Sequence, residues 1–225
     1  SKALHDCGRD MVLSLSPGPA VLEKAELYKR ISNMWRITDD FWDKWELLYA
    51  MFERAEKWSV HAGSGHFPDA DMLPIGPILQ DYDKANRTKF TEDEQITMLT
   101  LWSIFRSPLM IGGEMTGFDE FTMSLLTNER ILAIHKSARH SHQVWRRTVG
   151  GNEYILWTAQ CADGGQYAAV FNAGDVLGTV VIPLCDLEIE KPVTFEELWS
   201  GKNGRLEEKL TAQIAPHGAK AYKLI

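Results

Sequence analysis

The first half of the chain alternates short apolar runs with longer segments in which apolar residues return every three or four positions. Short apolar runs that end in turn residues or carboxylates are typical of buried strands, and the longer spacing is typical of helices that cover a sheet. The pattern therefore predicts four strands, at 10–18, 34–37, 66–73 and 109–113, and three helices, at 21–32, 43–58 and 91–105.

The helix at 91–105 has the clearest signals. Thr91 is followed three residues later by Glu94, which is the spacing of a capping box, and the segment from Ile96 to Phe105 is apolar nearly all round. We therefore expect this helix to begin at Thr91 and to lie deep in the protein. The stretch from Pro74 to Phe90 shows no such pattern and is expected to be irregular.

Strands that alternate with helices over about 110 residues indicate parallel βαβ units with right-handed crossovers. After Ser137 the pattern changes to short strands separated by glycine-rich turns, which is typical of an antiparallel β-sandwich. We divide the chain into 1–139 and 140–225. Seven strands are predicted in the second part, at 143–149, 154–160, 167–172, 179–184, 194–198, 210–214 and 219–224.

Composition excludes several classes of function. The net charge is −7 and no basic cluster is present, so neither a nucleic acid nor an anionic membrane surface is an expected partner. No apolar run is long enough for membrane insertion. Cys7, Cys161 and Cys185 lack the Cys/His spacing of a zinc site, so we expect no metal and no cofactor. We expect buried thiols, although Cys161 and Cys185 would be able to pair if their strands were neighbours.

Charged and aromatic residues are concentrated between Met34 and Trp45. Aromatic rings pack against the C–H face of sugars, and a carboxyl partly removed from water can serve as an acid, so this combination favours carbohydrate chemistry. A structural interpretation is also open. Asp43 would then cap the following helix, and Arg36 would pair with Asp39 or Asp40 without a catalytic purpose.

Motifs along nearly the whole chain together resemble one family, the melibiase-type α-galactosidases of glycoside hydrolase family 27. These motifs are Trp35-Arg36 with Asp40, Pro68 to Leu73, Glu94-Gln95 with Met98 and Trp102, Ser107 to Leu109, Leu198 to Gly201, and Pro216 to Gly218. The resemblance implies a (β/α)₈ TIM barrel followed by an antiparallel β-sandwich. It also implies a carbohydrate substrate and a retaining mechanism with two aspartates, one the nucleophile and one the acid/base.

The resemblance assigns roles to individual residues. Asp40, four residues after the arginine of the Trp-Arg pair, would be the acid/base, with Asp39 as the nearest alternative. Arg36 would hold a sugar hydroxyl and orient the catalytic carboxylate, while Asp71 and Met72 would line the sugar pocket. For Asp69, a structural role and a functional role both remain open.

The chain departs from the family pattern in its first part. The family's nucleophile lies in a Lys-x-Asp context on an earlier strand, and no such stretch precedes the first strand here. We therefore expect residues 1–139 to be the C-terminal half of the barrel, strands five to eight, with no nucleophile in this chain. A complementary N-terminal barrel half would be the partner, and the chain alone would lack turnover.

A second departure concerns the loop after the first strand. Members of the family usually have an acidic or aromatic residue here that contacts the C2 substituent of the sugar, and the stretch from Ser14 to Pro19 has none. Within this stretch, Ser16 and Pro17 are the positions expected to determine specificity. N-acetylgalactosamine or an arabinopyranose is therefore an alternative to galactose. Two other functions stay open, a carbohydrate-binding protein without catalysis and a purely structural domain. A secreted, periplasmic or lysosomal location is implied by the resemblance alone.

Overall fold

The protein is described here by a computed structural model, which covers residues 2–63, 65–81 and 84–225. Its first part combines all the α-helices with five short strands. The helices are α1 (Lys2–Asp6), α2 (Ala25–Ile31), α3 (Trp45–Ser59), α4 (Glu92–Phe105), α5 (Glu120–Leu126) and α6 (Glu129–Ser137). The strands are β1 (Ser14–Leu15), β2 (Met34–Arg36), β3 (Phe67–Asp69), β4 (Pro77–Asp81) and β5 (Lys84–Arg87).

Three strands form a parallel sheet in the order β1-β2-β3. Leu15 pairs with Trp35, and Arg36 pairs with Asp69, so the carboxyl ends of β2 and β3 lie side by side. A parallel bridge between Leu73 and Ile111 continues the arrangement beyond β3. The predicted parallel order is confirmed, but the strands are shorter than predicted and the last one is reduced to this bridge.

The helices cover the sheet through the faces that the sequence pattern indicated. On α3, the side chains of Leu48, Met51, Phe52 and Ala55 are buried. Helix α4 is buried along nearly its whole length and begins with the predicted capping box. In that capping box the Thr91 side chain accepts the Glu94 N–H, and the Glu94 carboxylate accepts the Thr91 N–H. Among the described helices, none is long and apolar enough to cross a membrane.

Three local expectations were wrong or incomplete. Strands β4 and β5 form an antiparallel hairpin where we expected irregular chain. Asp43 does not cap α3, whose N-cap residue is Lys44 without a side-chain bond. The Asp43 carboxylate instead accepts the backbone N–H of Lys89, at 2.6 Å. Helices α5 and α6 lie in a stretch for which the sequence pattern gave no prediction.

The second part is an antiparallel arrangement of eight strands, one more than predicted. These are β6 (Arg139–Val149), β7 (Asn152–Gln160), β8 (Gln166–Asn172), β9 (Gly178–Pro183), β10 (Val193–Glu197), β11 (Asn203–Leu206), β12 (Lys209–Ile214) and β13 (Ala219–Leu224). Six of them form one sheet in the order β11-β10-β13-β8-β7-β6, and β12 pairs with β9 in a second sheet. The unpredicted strand is β11, in which Asn203-Gly204 is typical of a turn.

Strands β7 and β8 of the six-stranded sheet are buried on both faces, which explains their nearly continuous apolar sequences. Tyr154 and Leu156 point towards β9 and β12 and form the sandwich core. Ile155, Trp157 and Phe171 point the other way and join the core around α3 and α4. The ring of Phe171 meets that of Phe52 edge-on, with 4.9 Å between the ring centroids, so one apolar interface joins the two parts.

All three cysteines are free. Cys161 is buried as expected, and burial raises the pKa of its thiol to about 11. Cys7 and Cys185 are exposed, so the expectation of buried thiols was wrong for these two residues.

Candidate active site

The candidate site lies where β2 and β3 end. Arg36 is the last residue of β2, Asp69 is the last residue of β3, and the two are paired in register. The Ile37 N–H donates to the Asp69 carbonyl at 2.9 Å, which keeps the chains together just beyond the strands. The loops that leave neighbouring parallel strands therefore bring their carboxylates to one edge of the sheet.

Arg36 is at the centre of this edge and faces two carboxylates. Its Nη1 lies 2.8 Å from Asp40 Oδ1 and 3.6 Å from Asp71 Oδ2. We call Arg36, Asp40 and Asp71 the strand-end cluster. The side chains of Arg36 and Asp71 are each 18% exposed, whereas that of Asp40 is 75% exposed. Arg36 Nε is buried and has no hydrogen-bond partner among the described residues, so the cluster retains an unused donor.

Asp71 has an unusual backbone conformation. Its φ is +76°, in the left-handed region that residues other than glycine rarely adopt. Its N–H donates to Asp69 Oδ1 at 2.9 Å, and its carbonyl accepts the indole N–H of Trp102 at 3.0 Å. Its carboxylate accepts the Phe41 N–H at 2.8 Å. Such conformations persist only where the surroundings fix them, and they are frequent at functional sites.

Asp69 supports this conformation from a buried position. Its residue is only 6% exposed, and burial raises the pKa of its carboxyl. The hydrogen bond from the Asp71 N–H opposes that rise, the nearby Asp71 charge adds to it, and the charge of Arg36 opposes it. Next to Asp69, the Ala70 N–H donates to Ser107 Oγ at 2.9 Å. These contacts give Asp69 a structural role in the turn that carries Asp71.

The other predicted site residues lie around the cluster. Asp39 makes no ion pair with Arg36 in the described structure and faces the loop after β1, since a Cβ added at Gly18 would lie 3.5 Å from its Oδ1. Ser16 and Pro17 are exposed in that same loop. Met72 packs against Gly112, where an added Cβ would lie 2.6 Å from its Sδ.

Sequence reasoning missed two groups that hold the cluster, the Phe41 N–H and the Trp102 indole. Trp102 belongs to one of the family motifs, but no role was predicted for its side chain. A signal was present, because a tryptophan on a helix that is apolar on all sides needs an acceptor for its indole N–H.

One face of the Trp45 ring is covered by another side chain. Its ring stacks on the imidazole of His217, with 3.7 Å between the ring centroids and 6° between the planes. Trp35 and Phe41 of the same segment are buried, so these three aromatic residues serve packing. In the described part of the chain, no group of three or more His, Cys, Asp or Glu side chains is arranged to hold a metal ion.

A cleft of about 840 Å³ lies elsewhere, at the C-terminal ends of α3, α4 and α6. Helices that follow parallel strands run back across the sheet, so this cleft is at the opposite edge from the strand-end cluster. It is lined partly by basic side chains, among them Arg106, Lys136 and Arg139. The volume of a cleft therefore does not identify the candidate site. The carboxylates that converge on Arg36 identify it.

Comparison with protein families agrees with both parts of the chain. Residues 1–137 match the family model described as "Alpha galactosidase A", and residues 151–224 match that of the "Alpha galactosidase C-terminal beta sandwich domain". The chain belongs to the melibiase-type α-galactosidase family, glycoside hydrolase family 27. The fold of this family is a TIM barrel followed by a β-sandwich.

Individual members of the family cover the whole chain. Alpha-galactosidase 2 of Arabidopsis thaliana is 23% identical over 227 residues, which are 100% of this chain and 54% of that protein. A GH27 β-L-arabinopyranosidase from Geobacillus stearothermophilus is 47% identical, with a TM-score of 0.94 over 99% of this chain and 52% of that chain. A putative α-N-acetylgalactosaminidase from Bacillus halodurans is 40% identical, with a TM-score of 0.80 over 99% and 52%. The chain thus spans about half the length of these family members.

Proposed function

We propose that this chain provides the acid/base half of a retaining glycoside hydrolase that acts on terminal α-galactoside-like sugars. The observation that carries the proposal is the strand-end cluster, in which Arg36 holds Asp40 at 2.8 Å and approaches Asp71 at 3.6 Å. In a member of glycoside hydrolase family 27, we assign the proton donor to Asp40 and the sugar-binding carboxylate to Asp71.

In the proposed reaction, Asp40 donates a proton to the leaving oxygen while a second aspartate attacks the anomeric carbon and forms a glycosyl-enzyme. Asp40 then takes a proton from water as the water hydrolyses that intermediate. Retention requires the two carboxyls to lie about 5–5.5 Å apart. We assign the nucleophile to a complementary N-terminal barrel half, with residues 1–139 supplying strands five to eight.

The open state of the cluster supports this assignment. Asp40 is 75% exposed, which leaves space for a complementary half to close around a sugar. The guanidinium of Arg36, whose side chain is 18% exposed, would hold a sugar hydroxyl beside Asp40. Asp71 and Met72 would form one side of the sugar pocket, and the loop at Ser16 and Pro17 would border the C2 position.

The sugar itself has galactose-like configuration in this proposal. A β-L-arabinopyranoside has the ring configuration of an α-D-galactoside without the hydroxymethyl group, and one similar enzyme is named as a β-L-arabinopyranosidase. The loop after β1 offers neither an acidic nor an aromatic reader for the C2 substituent. Arabinopyranosides and N-acetylgalactosaminides therefore belong in the assay beside α-galactosides.

The test is an assay of the complete gene product with aryl α-D-galactoside, β-L-arabinopyranoside and α-N-acetylgalactosaminide, with the first-formed anomer followed by NMR. We expect turnover of at least one glycoside with retained configuration. An inverted first product would contradict the mechanism. Saturable sugar binding in calorimetry without turnover would instead favour the carbohydrate-binding alternative.

The assignment of the nucleophile has its own test. Residues 1–225 expressed alone are expected to show no turnover, and co-expression with the complementary half is expected to restore it. Turnover by residues 1–225 alone would show that the second carboxylate lies within this chain.

A further inference from the structure

Helix α4 lies between the β-sandwich and the strand-end cluster and makes polar contacts with both. Towards the cluster, the indole N–H of Trp102 donates to the Asp71 carbonyl at 3.0 Å, and the Trp102 side chain is fully buried. Towards the sandwich, the indole N–H of Trp199 donates to Thr100 Oγ1 at 3.0 Å. Successive helix residues are rotated by about 100°, so Thr100 and Trp102 point to nearly opposite sides of α4.

Two more contacts fix the N-terminal half of α4 to the sandwich. Glu94 Oε1 lies 2.8 Å from His217 Nδ1, and Thr97 Oγ1 donates to the His217 carbonyl at 2.6 Å. Together with the Trp199–Thr100 bond, we call these the sandwich contacts of α4. All three come from a few residues of the sandwich loops, so the second domain contacts α4 through a small set of polar groups.

We propose that Trp102 is a positioning residue for Asp71 and that the sandwich contacts of α4 set the position of Trp102. The inference rests on the proposed function for its catalytic meaning, because Asp71 is there a sugar-binding carboxylate. Its structural content is independent of activity. The β-sandwich thereby influences the position of Asp71 through α4, in addition to packing against the first part of the chain.

The backbone conformation of Asp71 depends on the bonds that hold it on both sides. A residue with φ of +76° returns to an ordinary conformation once the bonds that hold it are removed. The Trp102 indole holds the carbonyl side of Asp71, and Asp69 holds its N–H side. If the carbonyl is released, the carboxylate moves, and the Phe41 N–H and Arg36 Nη1 both lose the geometry in which they meet Asp71.

The exchange of the Phe41 amide reports this movement directly, because its N–H donates to Asp71 Oδ2 at 2.8 Å. In native-state hydrogen exchange of the chain, Trp102→Phe is expected to lower the protection of the Phe41 and Asp71 amides by about tenfold or more. Amides in the centre of β8 are expected to change much less. A general loss of stability would instead lower all slowly exchanging amides together.

Two further variants separate the parts of the proposal. Trp199→Phe removes the donor to Thr100 and is expected to lower Phe41 protection by a smaller factor, about threefold. Trp145→Phe is the matched control, since its indole N–H donates to Asp186 within the sandwich at 2.8 Å and does not contact α4. It is expected to leave the Phe41 amide unchanged.

Unchanged Phe41 protection in the Trp102→Phe variant would overturn the proposal. Unchanged Phe41 protection in the Trp199→Phe variant would overturn the claim that the sandwich contacts set the position of Trp102. In the complete gene product, Trp102→Phe is expected to lower kcat/KM by about tenfold to a hundredfold, and Trp145→Phe by less than about twofold. Absence of wild-type turnover would overturn the proposed function and leave the exchange result to decide the positioning role.

Discussion

Two of the described clusters in which carboxylates meet a basic side chain differ in how completely their polar groups are paired. At the strand-end cluster, Asp40 is 75% exposed and Arg36 Nε is buried without a described partner. At the sandwich contacts of α4, Glu94 is 10% exposed, and its two oxygens accept from Thr91 and bond to His217. The closed cluster joins two parts of the fold, whereas the open one has a largely exposed carboxylate and a donor that is unpaired among the described residues.

The two clusters are expected to differ in whether they contribute to stability or to activity. A group whose bonds are all made inside the protein stabilises the fold, and removing it leaves unpaired polar atoms. A group that is exposed and only partly paired contributes little to the fold, and its removal affects what the protein binds or converts. Substitutions at the two clusters are therefore expected to have opposite consequences.

A substitution in the apolar interface between the two parts is expected to have the largest effect on the free energy of unfolding. Phe52 on α3 is fully buried, and its ring meets that of Phe171 on β8. Phe52→Ala is expected to lower the free energy of unfolding by about 3–5 kcal/mol, because it removes a large buried side chain and leaves a cavity. Chemical denaturation measures this change, and a loss below about 1 kcal/mol would mean that the two parts do not share a core.

The same truncation at the two clusters gives the sharpest contrast. Glu94→Ala removes the acceptor of both the Thr91 N–H and the His217 ring, and is expected to lower the free energy of unfolding by about 2 kcal/mol. Asp40→Ala at the open cluster is expected to change it by less than about 0.5 kcal/mol. Equal losses for the two variants in denaturant titrations would contradict the distinction between a closed and an open cluster.

The smallest expected effect concerns the pH dependence at Asp69. Burial raises its pKa above the ordinary value of 3.8, so its contribution to stability is present below that value and is lost as the pH rises through its pKa in the folded state. Asp69→Asn retains an oxygen for the Asp71 N–H and removes the charge. The melting temperature of the variant relative to the unsubstituted chain is therefore expected to be higher at pH 7 than at pH 3.

Calorimetry at the two pH values measures that difference. A difference that stays constant, or that is larger at pH 3, would show that the buried carboxyl does not carry the expected penalty. Ser124 Oγ donates to a backbone carbonyl on the exposed surface, so Ser124→Ala provides a control without a titrating group.

The open cluster was largely predictable from the sequence, because its residues follow strands that the apolar pattern indicated. Arg36 and Asp40 are four residues apart, and Asp71 follows the next strand, so parallel strands bring them to one edge. The left-handed conformation of Asp71 was not predictable, since only a small fraction of aspartates adopt it. It arises from bonds to Asp69 and Trp102 that the sequence pattern does not contain.

The closed cluster was predicted only in its local part. The capping box of Thr91 and Glu94 spans three residues and is visible as a motif, and the structure contains it. The partner His217 is 123 residues away, in a loop of the other domain. Periodicity carries no information about such a pairing. The missed strand β11 has a similar cause, because pairing with β10 overrides the turn preference of Asn203-Gly204.

We propose Asp40 as the acid/base of a glycosidase, and the dependence of the rate on the leaving group is the decisive test of that role. In the complete gene product, Asp40→Asn is expected to lower kcat/KM by about 10²–10⁴-fold for glycosides with a poor leaving group, because that oxygen needs a proton. The loss should be far smaller for a dinitrophenyl glycoside, whose leaving group departs as an anion. Asp39→Asn is the matched control and is expected to stay within about fivefold for both. Unchanged rates in the Asp40→Asn variant, or leaving-group dependence in the Asp39→Asn variant instead, would contradict the account.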